Sequence, residues 1–90
     1  PEDHPNIATT YGRLAAVYFG MKNYDQTFNY ADKTVKQLRK KANPDAQELA
    51  ANLFLAGISL QSQEKHADAV VYFDECAAAH LSIRIVDQIS

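Results

Sequence analysis

Apolar and small side chains recur along the chain with the spacing of one helix face. The first stripe of this kind consists of Ile7, Tyr11, Leu14, Ala15 and Tyr18. A second stripe follows after Gly20 and a short polar link, and it consists of Tyr24, Thr27, Phe28, Ala31, Val35 and Leu38. Spacings of three, four and seven residues predict two helices. Because the link is short, we expect these helices to be antiparallel neighbours.

Polar residues and prolines mark the predicted ends of the helices. Asp3 is the predicted N-cap of the first helix, and Pro5 is tolerated in its first turn, where no backbone N–H is needed. Asn43 and Pro44 break the second helix, because the residue before a proline disfavours helical dihedrals. Either Asn43 or Asp45 is the predicted N-cap of a third helix.

The second half of the chain repeats the first half at a distance of 42 residues. The shift carries the first stripe onto Leu49, Leu53, Ala56, Gly57 and Leu60. In the same way it carries Tyr24, Thr27, Phe28, Tyr30, Ala31 and Thr34 onto His66, Ala69, Val70, Tyr72, Phe73 and Cys76. Size and spacing are kept, so we predict an all-α superhelix, a solenoid of two antiparallel helix pairs. The predicted bounds are about 3–42 for repeat 1 and about 45–82 for repeat 2.

The residues after Cys76 predict a long fourth helix. Leu81, Ile85 and Ile89 recur every four residues, and no Gly or Pro interrupts them. We therefore expect a C-terminal helical extension over about 83–90. Its apolar face needs a cover, since solenoids require a polar terminal surface. A following repeat, a partner subunit or a second copy would provide that cover, so a homo-oligomer through this face is one expectation.

The paired stripes resemble the tetratricopeptide repeat (TPR) pattern over nearly the whole chain. That pattern has a Leu-Gly or Leu-Ala pair, an aromatic residue and further small and aromatic residues. It is carried here by Leu14, Ala15, Tyr18, Asn23, Tyr24, Asp25 and Ala31, and by Ala56, Gly57, Leu60, Ala67, Asp68, Ala69 and Phe73. The usual period of the family is 34 residues. The longer period, with the segment from Asp3 to Ala8, is similar to the kinesin light chain type.

The resemblance implies a protein-binding scaffold whose first helices line a concave groove. The groove would take a peptide or an amphipathic helix of another protein. The positions that are not expected to pack internally are Thr9, Gly12, Arg13, Ala16, Phe19, Ala51, Phe54, Leu55, Ile58 and Gln61. Family members that grip a chaperone's C-terminal carboxylate carry Lys and Asn where this chain has Gly12 and Ala16. The remaining groove favours an apolar strip over a charged tail.

A second hypothesis assigns the chain a structural role. Phe54 and Ile58 would then pack on a neighbouring repeat, and the chain would be a structural or self-associating segment of a larger repeat protein with no ligand of its own. Exposed apolar residues of this kind mark an interface in either case. Because the chain begins with Pro1, we expect it to be part of a longer protein.

Composition excludes several other classes of function. Ninety residues form at most one small domain, and 47% hydrophobic with 22% charged residues indicates a folded chain. A formal net charge of −2 argues against nucleic acid and polybasic membrane binding. No apolar run is long enough to span a membrane. Cys76 is the only cysteine, which fits a reducing compartment, and we expect a cytoplasmic location.

Candidate chemistry is sparse. Cys76 and His80 lie four residues apart on one face, with His66 nearby, but Cys76 occupies a small core position, so a metal site is disfavoured. There is no phosphate-binding loop or nucleophile elbow. We therefore expect no cofactor and no enzyme activity. The basic run Lys33, Lys36, Arg39, Lys40 and Lys41 is interpreted as a solvated helix face, with an acidic peptide site as the alternative.

Overall fold

The computed structural model describes residues 7–89, with the side chains of residues 7–85. Over this part of the chain there are four α-helices and no strand: α1 (Ile7–Gly20), α2 (Tyr24–Arg39), α3 (Ala46–Ser62) and α4 (His66–Ile89). The all-α prediction is confirmed, and α4 is the long helix that the C-terminal pattern predicted. Asp3 and Pro5, the predicted start of α1, lie outside the described residues.

Side-chain caps begin two of the helices. The Asn23 Oδ1 atom accepts a hydrogen bond from the Gln26 amide at 3.3 Å, and this caps α2. The Asp45 Oδ1 atom accepts from the amides of Gln47 at 2.9 Å and Glu48 at 3.2 Å, and this caps α3. Asp45 is therefore the N-cap of α3, and it satisfies amides that have no partner inside the helix.

The turns that end α1 and α3 have the same backbone structure. Lys22 and Glu64, 42 residues apart, both adopt a left-handed conformation, with φ of 60° and 63°. The Asn23 amide donates to the Tyr18 carbonyl at 2.9 Å, and the Lys65 amide donates to the Leu60 carbonyl at 2.8 Å. These bonds close a Schellman motif at each turn. The repeat seen in the sequence is thus also a repeat of hydrogen bonds.

The helices form two layers. The thinnest dimension of the molecule is 19 Å, about two helix diameters. Within the described residues, the backbones of α1 and α3 approach each other, whereas α2 and α4 have no Cα pair within 8 Å. First helices that lie closer together than second helices curve the array, so α1 and α3 lie on its inner side.

The core lies between the layers and across the joint between the helix pairs. One buried cluster contains Val35, Ala50, Leu53 and Cys76, and a second contains Ala15, Ala31 and Ala56. The buried hydroxyls of this core are satisfied locally. For example, Thr34 and Ser59 each donate at 2.8 Å to the carbonyl four residues earlier in the same helix. Small residues and satisfied hydroxyls let neighbouring helices approach without unpaired hydroxyl groups.

Candidate interaction groove

The inner face of α3 presents a stripe of partly exposed side chains. Ala51 and Gln61 are exposed, Ile58 is half-buried, and Phe54 is 48% exposed. These positions are three, four and three residues apart, so they lie on one helix face. The Phe54 ring leans on Phe73 of α4, with the ring centroids 6.1 Å apart. Phe54 therefore has a supported orientation and still offers about half of its surface to solvent.

The inner face of α1 carries the matching stripe, with smaller side chains. Thr9, Arg13 and Ala16 are exposed, and Phe19 is half-buried against Tyr24, with ring centroids 6.2 Å apart. The Thr9 hydroxyl donates to the Glu48 carboxylate at 3.3 Å, which joins the two inner helices at one end. Nine of the ten predicted groove residues thus keep exposed or half-buried surface without packing against the buried clusters: Thr9, Gly12, Arg13, Ala16, Phe19, Ala51, Phe54, Ile58 and Gln61.

Two of the predicted groove residues, Leu55 and Gly12, are half-buried and also lie against neighbouring helices. Leu55 packs against the cluster of Ala15, Ala31 and Ala56, because the small alanines leave room for its side chain. Gly12 faces α3, and a Cβ atom placed there would lie 3.4 Å from the Asn52 Nδ2 atom. A Cβ atom at that distance would be in ordinary van der Waals contact, so Gly12 lies beside α3 with room for a methyl group.

A family model described as tetratricopeptide repeat matches residues 6–82, which is more than half of the chain. The chain belongs to the tetratricopeptide repeat family. No curated protein and no solved structure gives a significant match to the chain. The resemblance to the kinesin light chain type stays a prediction that rests on the 42-residue period.

TPR domains generally bind other proteins and typically act as scaffolds without enzyme activity. In this TPR chain each of the two inner helices carries one stripe of exposed or half-buried side chains that is available for such contacts. Their side chains are mostly small or apolar, with Thr9, Arg13 and Gln61 as polar members. This arrangement can bury the apolar face of a partner and can donate hydrogen bonds at its edges.

Asn52 is a residue beside this TPR groove that the sequence analysis did not single out. It is 5% exposed, and its Nδ2 atom donates to the Glu48 carbonyl at 2.9 Å. Its Oδ1 atom has no hydrogen-bond partner among the described residues. A signal was available, because Asn52 interrupts the apolar stripe between Leu49 and Leu53. The amide lies beside Gly12 of α1.

The outer layer of the TPR array is held by longer polar and aromatic side chains. Tyr72 of α4 donates its hydroxyl to Asp32 of α2 at 3.1 Å, and its ring packs edge-on against Phe28 with centroids 5.7 Å apart. Arg39 of α2 forms a salt bridge with Glu75 of α4. Burial raises the pKa of Tyr72 to about 12, and the adjacent Asp32 carboxylate acts in the same direction. These contacts bridge the wider gap between α2 and α4.

Cys76 lies in the TPR core and has no exposed reactive surface. It is 6% exposed, and its thiol donates to the Ala50 carbonyl at 3.3 Å. Burial raises the pKa of the thiol, so the thiolate is disfavoured. Over residues 7–85, no three His, Cys, Asp or Glu side chains converge in a way that could hold a metal ion. Among the described helices, none has both the length and the apolar character needed to cross a membrane.

The predicted basic run is divided among several environments. Lys33 lies above the rings of Tyr11 and Tyr30, at 5.6 and 5.3 Å from their centroids. Lys36 pairs with Asp32 at 2.9 Å, and Arg39 pairs with Glu75. Lys36 and Lys33 are exposed, so part of their charge remains available to solvent or to a partner.

Proposed function

We propose that this chain is an interaction scaffold that binds a peptide or a helical segment of another protein on the inner face of α1 and α3. The observation that carries the proposal is the stripe of Ala51, Phe54 and Ile58, which is apolar, continuous and open to solvent. An aromatic anchor with about half of its surface exposed is the type of residue that dominates binding energy at interfaces. The family to which the chain belongs supports the same role.

The polarity of the groove favours an amphipathic partner. Small or apolar residues form most of the two stripes, and Arg13 and Gln61 lie beside them. A helix with apolar residues at positions i, i+3 or i+4 and i+7 would match Phe54 and Ile58, which are four residues apart. Such a partner would bury these anchors, and its acidic or amide side chains would meet Arg13. A free carboxylate tail would find neither a Lys at position 12 nor an Asn at position 16.

The test uses a peptide selected for binding to the wild-type chain from a random display library. Phe54→Ala together with Ile58→Ala removes the two apolar anchors, and we expect the affinity for that peptide to fall by about thirtyfold or more, since each anchor at a buried interface contributes more than about 1 kcal/mol. Binding is measured by calorimetry. Circular dichroism of the double variant should keep the helical signal of the wild type.

The matched control removes two exposed apolar side chains elsewhere. Met21→Ala together with Val71→Ala trims residues that are 65% and 54% exposed and lie outside the groove. This control should keep the wild-type affinity. If the groove variant binds the selected peptide as tightly as the control does, the inner face is not the binding site.

A second candidate function is self-association, and the surface of α4 favours it. Val70, Val71, Leu81 and Ile85 are each between 47% and 58% exposed on this helix. Apolar side chains at this density mark a contact surface. The chain would then be a structural segment that joins copies or repeats, with no ligand of its own.

We further propose a cytoplasmic setting for this scaffold. The proposal is supported by Cys76, the single cysteine, which is kept as a thiol inside the core. A reducing compartment preserves such a thiol. Fractionation of the native protein with its free thiol intact would support this setting, and recovery only from an oxidising compartment would contradict it.

A further inference from the structure

Two clefts open at opposite ends of the array. The first, the basic cleft, has a volume of about 350 Å³ and is lined by Ile7, Tyr11, Lys33, Lys36, Gln37 and Lys40. The second, the apolar cleft, has a volume of about 470 Å³ and is lined by Gln47, Ala50, Ala51, Phe54, His80 and Ile83. The first belongs to α1 and α2, and the second belongs to α3 and α4.

The 42-residue shift relates the basic cleft to a surface that is already covered inside the molecule. Ile7 and Tyr11 correspond to Leu49 and Leu53, which pack with Val35 of α2 in the core. Lys33 corresponds to Glu75, which binds Arg39 of α2. In repeat 2 the equivalent of the basic cleft is therefore filled by the preceding helix pair.

The reverse shift relates the apolar cleft to the other side of the same joint. Ala50 and His80 correspond to Ala8 and Leu38, which are 3% and 0% exposed. Phe54 corresponds to Gly12, which faces Asn52 of α3. In repeat 1 the equivalent of the apolar cleft is therefore filled by the helix pair that follows. Among the described residues, each cleft is therefore one uncovered half of the kind of contact that the first helix pair makes with the second.

We propose that a second copy of this chain docks head to tail, with the basic cleft of one copy against the apolar cleft of the next, in the way that α3 and α4 dock on α1 and α2. This inference deepens the second candidate function and does not depend on peptide binding in the groove. Its occupant is a second copy because each copy carries both halves of the joint.

One hydrogen bond of the internal joint joins two residues whose equivalents in the other repeat lie at the two open ends of the molecule. Inside the molecule the Tyr72 hydroxyl donates to Asp32 at 3.1 Å. The shift relates Tyr72 to Tyr30, beside the basic cleft, and relates Asp32 to Asp74 at the other end. Asp74 is exposed and Tyr30 is half-buried. At the proposed joint, Tyr30 of one copy donates to Asp74 of the next.

Charge complementarity supports the same pairing. Asp32 has Lys36 four residues later as an ion-pair partner at 2.9 Å, whereas the residue four positions after Asp74 is Ala78. Lys33 lies above the Tyr30 ring, 5.3 Å from its centroid, so it accompanies Tyr30 into the joint. The Arg39–Glu75 salt bridge of the internal joint has Leu81 and Lys33 as its counterparts. Lys33 therefore meets no carboxylate at that position and is free to approach Asp74 of the next copy beside Tyr30.

Head-to-tail docking uses two different surfaces. Such a contact produces open chains of copies, or rings where the rotation closes, whereas a two-fold contact through α4 would stop at a dimer. We expect the weight-average mass of the wild-type chain to rise continuously with concentration in sedimentation and light-scattering measurements, without a plateau at the dimer.

Variants that block one end only make the test decisive. Asp74→Lys blocks the apolar-cleft end, and Lys33→Glu blocks the basic-cleft end. Each variant alone should be monomeric, with self-association weakened by about tenfold or more. An equimolar mixture should again associate beyond a dimer, because one joint between the two variants is unaltered and the other brings the two reversed charges together as an opposite pair.

Exchanged charges on the turns provide the control. Lys22→Glu and Glu64→Lys reverse charges at equivalent positions outside both clefts, and each should associate like the wild type. A wild type that stays monomeric up to about millimolar concentration overturns the proposal. So does a closed dimer that persists in both end-blocked variants. Neither result affects the groove, whose test is binding of the selected peptide.

Discussion

At one pair of equivalent core positions, the two repeats pack their helices with different side chains. In repeat 1, Ala15 and Ala31 meet at equivalent positions and are both fully buried. In repeat 2 the same positions hold Gly57 and Phe73. A Cβ atom at Gly57 would lie 2.6 Å from the Phe73 ring, so the glycine makes space for the aromatic side chain. Compared with the two alanines of repeat 1, the residue on α3 is smaller and the residue on α4 is larger, and the two helices remain in contact.

We expect Gly57→Ala to destabilise the fold by about 1 to 2 kcal/mol, because the cost of overpacking exceeds the gain in helix propensity. In a Phe73→Ala background the same change should instead stabilise the fold by up to about 1 kcal/mol, since only the propensity gain remains. Urea unfolding of the four chains measures both values. A stabilising effect in both backgrounds would show that Phe73 does not require the space.

The Tyr72 hydroxyl makes stability depend on alkaline pH. Its folded pKa, about 12, is above the ordinary value of 10. The contribution of this group is therefore complete below pH 10 and is lost as the pH rises towards 12. We expect Tyr72→Phe to be less stable than the wild type at pH 8, because the bond to Asp32 is missing, and to lose less further stability between pH 10 and 12. Thermal unfolding followed by circular dichroism over that range tests this, and parallel stability curves would contradict it.

At the residue scale, the sequence predicts faces better than contacts. The spacing of Ala51, Phe54 and Ile58 correctly predicts a shared face, because helical geometry determines it. The packing of Leu55 could not be predicted, since it depends on room left by alanines on two other helices. The burial of Asn52 likewise depends on its place beside Gly12 of the neighbouring helix.

At the element scale, the turns that end α1 and α3 each contain an unfavourable backbone conformation. Both Schellman motifs place a non-glycine residue, Lys22 or Glu64, in the left-handed region. That conformation costs an L-residue about 1 kcal/mol relative to glycine. Gly20 marks the end of α1 in the sequence, but it is the last helical residue, and the left-handed position comes two residues later. Sequence therefore predicts where the helix ends but not which residue carries the strained dihedral.

We expect Lys22→Gly and Glu64→Gly each to stabilise the fold by about 0.5 to 1 kcal/mol, because glycine adopts the left-handed conformation without steric cost. The control is Ala78→Gly in the exposed middle of α4, which should destabilise by about 1 kcal/mol. Chemical denaturation of the three variants measures these changes. A loss of stability at both turns would mean that the left-handed residues are not strained.

At the scale of the whole molecule, the sequence repeat predicts the number and order of the helices but not the curvature of the array. The 42-residue shift correctly predicts four helices and reappears in the helix ends, the turn dihedrals and the turn hydrogen bonds. That α1 lies closer to α3 than α2 lies to α4 depends on residues between the helix pairs, such as Gly12 on the inner side and Tyr72 on the outer side. A stripe pattern does not contain that information, because it describes each helix separately.

The same repeat explains why the surfaces differ in role. The two inner stripes run along one side of the array, whereas the basic and apolar clefts lie at its ends. A partner protein in the groove and a second copy at an end would therefore contact surfaces that overlap only in part. Ala51 and Phe54 contribute to both the inner stripe and the apolar cleft, so they are the residues at which the two forms of binding would influence each other.

The most direct test of groove binding is a nuclear magnetic resonance titration of the isotope-labelled chain with the peptide selected for the wild type. We expect amide shifts to concentrate on the inner face, at Arg13, Ala51 and Ile58, and to leave Asn29 and Val71 of the outer helices unchanged. Shifts that instead cluster on α2 and α4 would contradict binding on the inner face of this tetratricopeptide repeat chain.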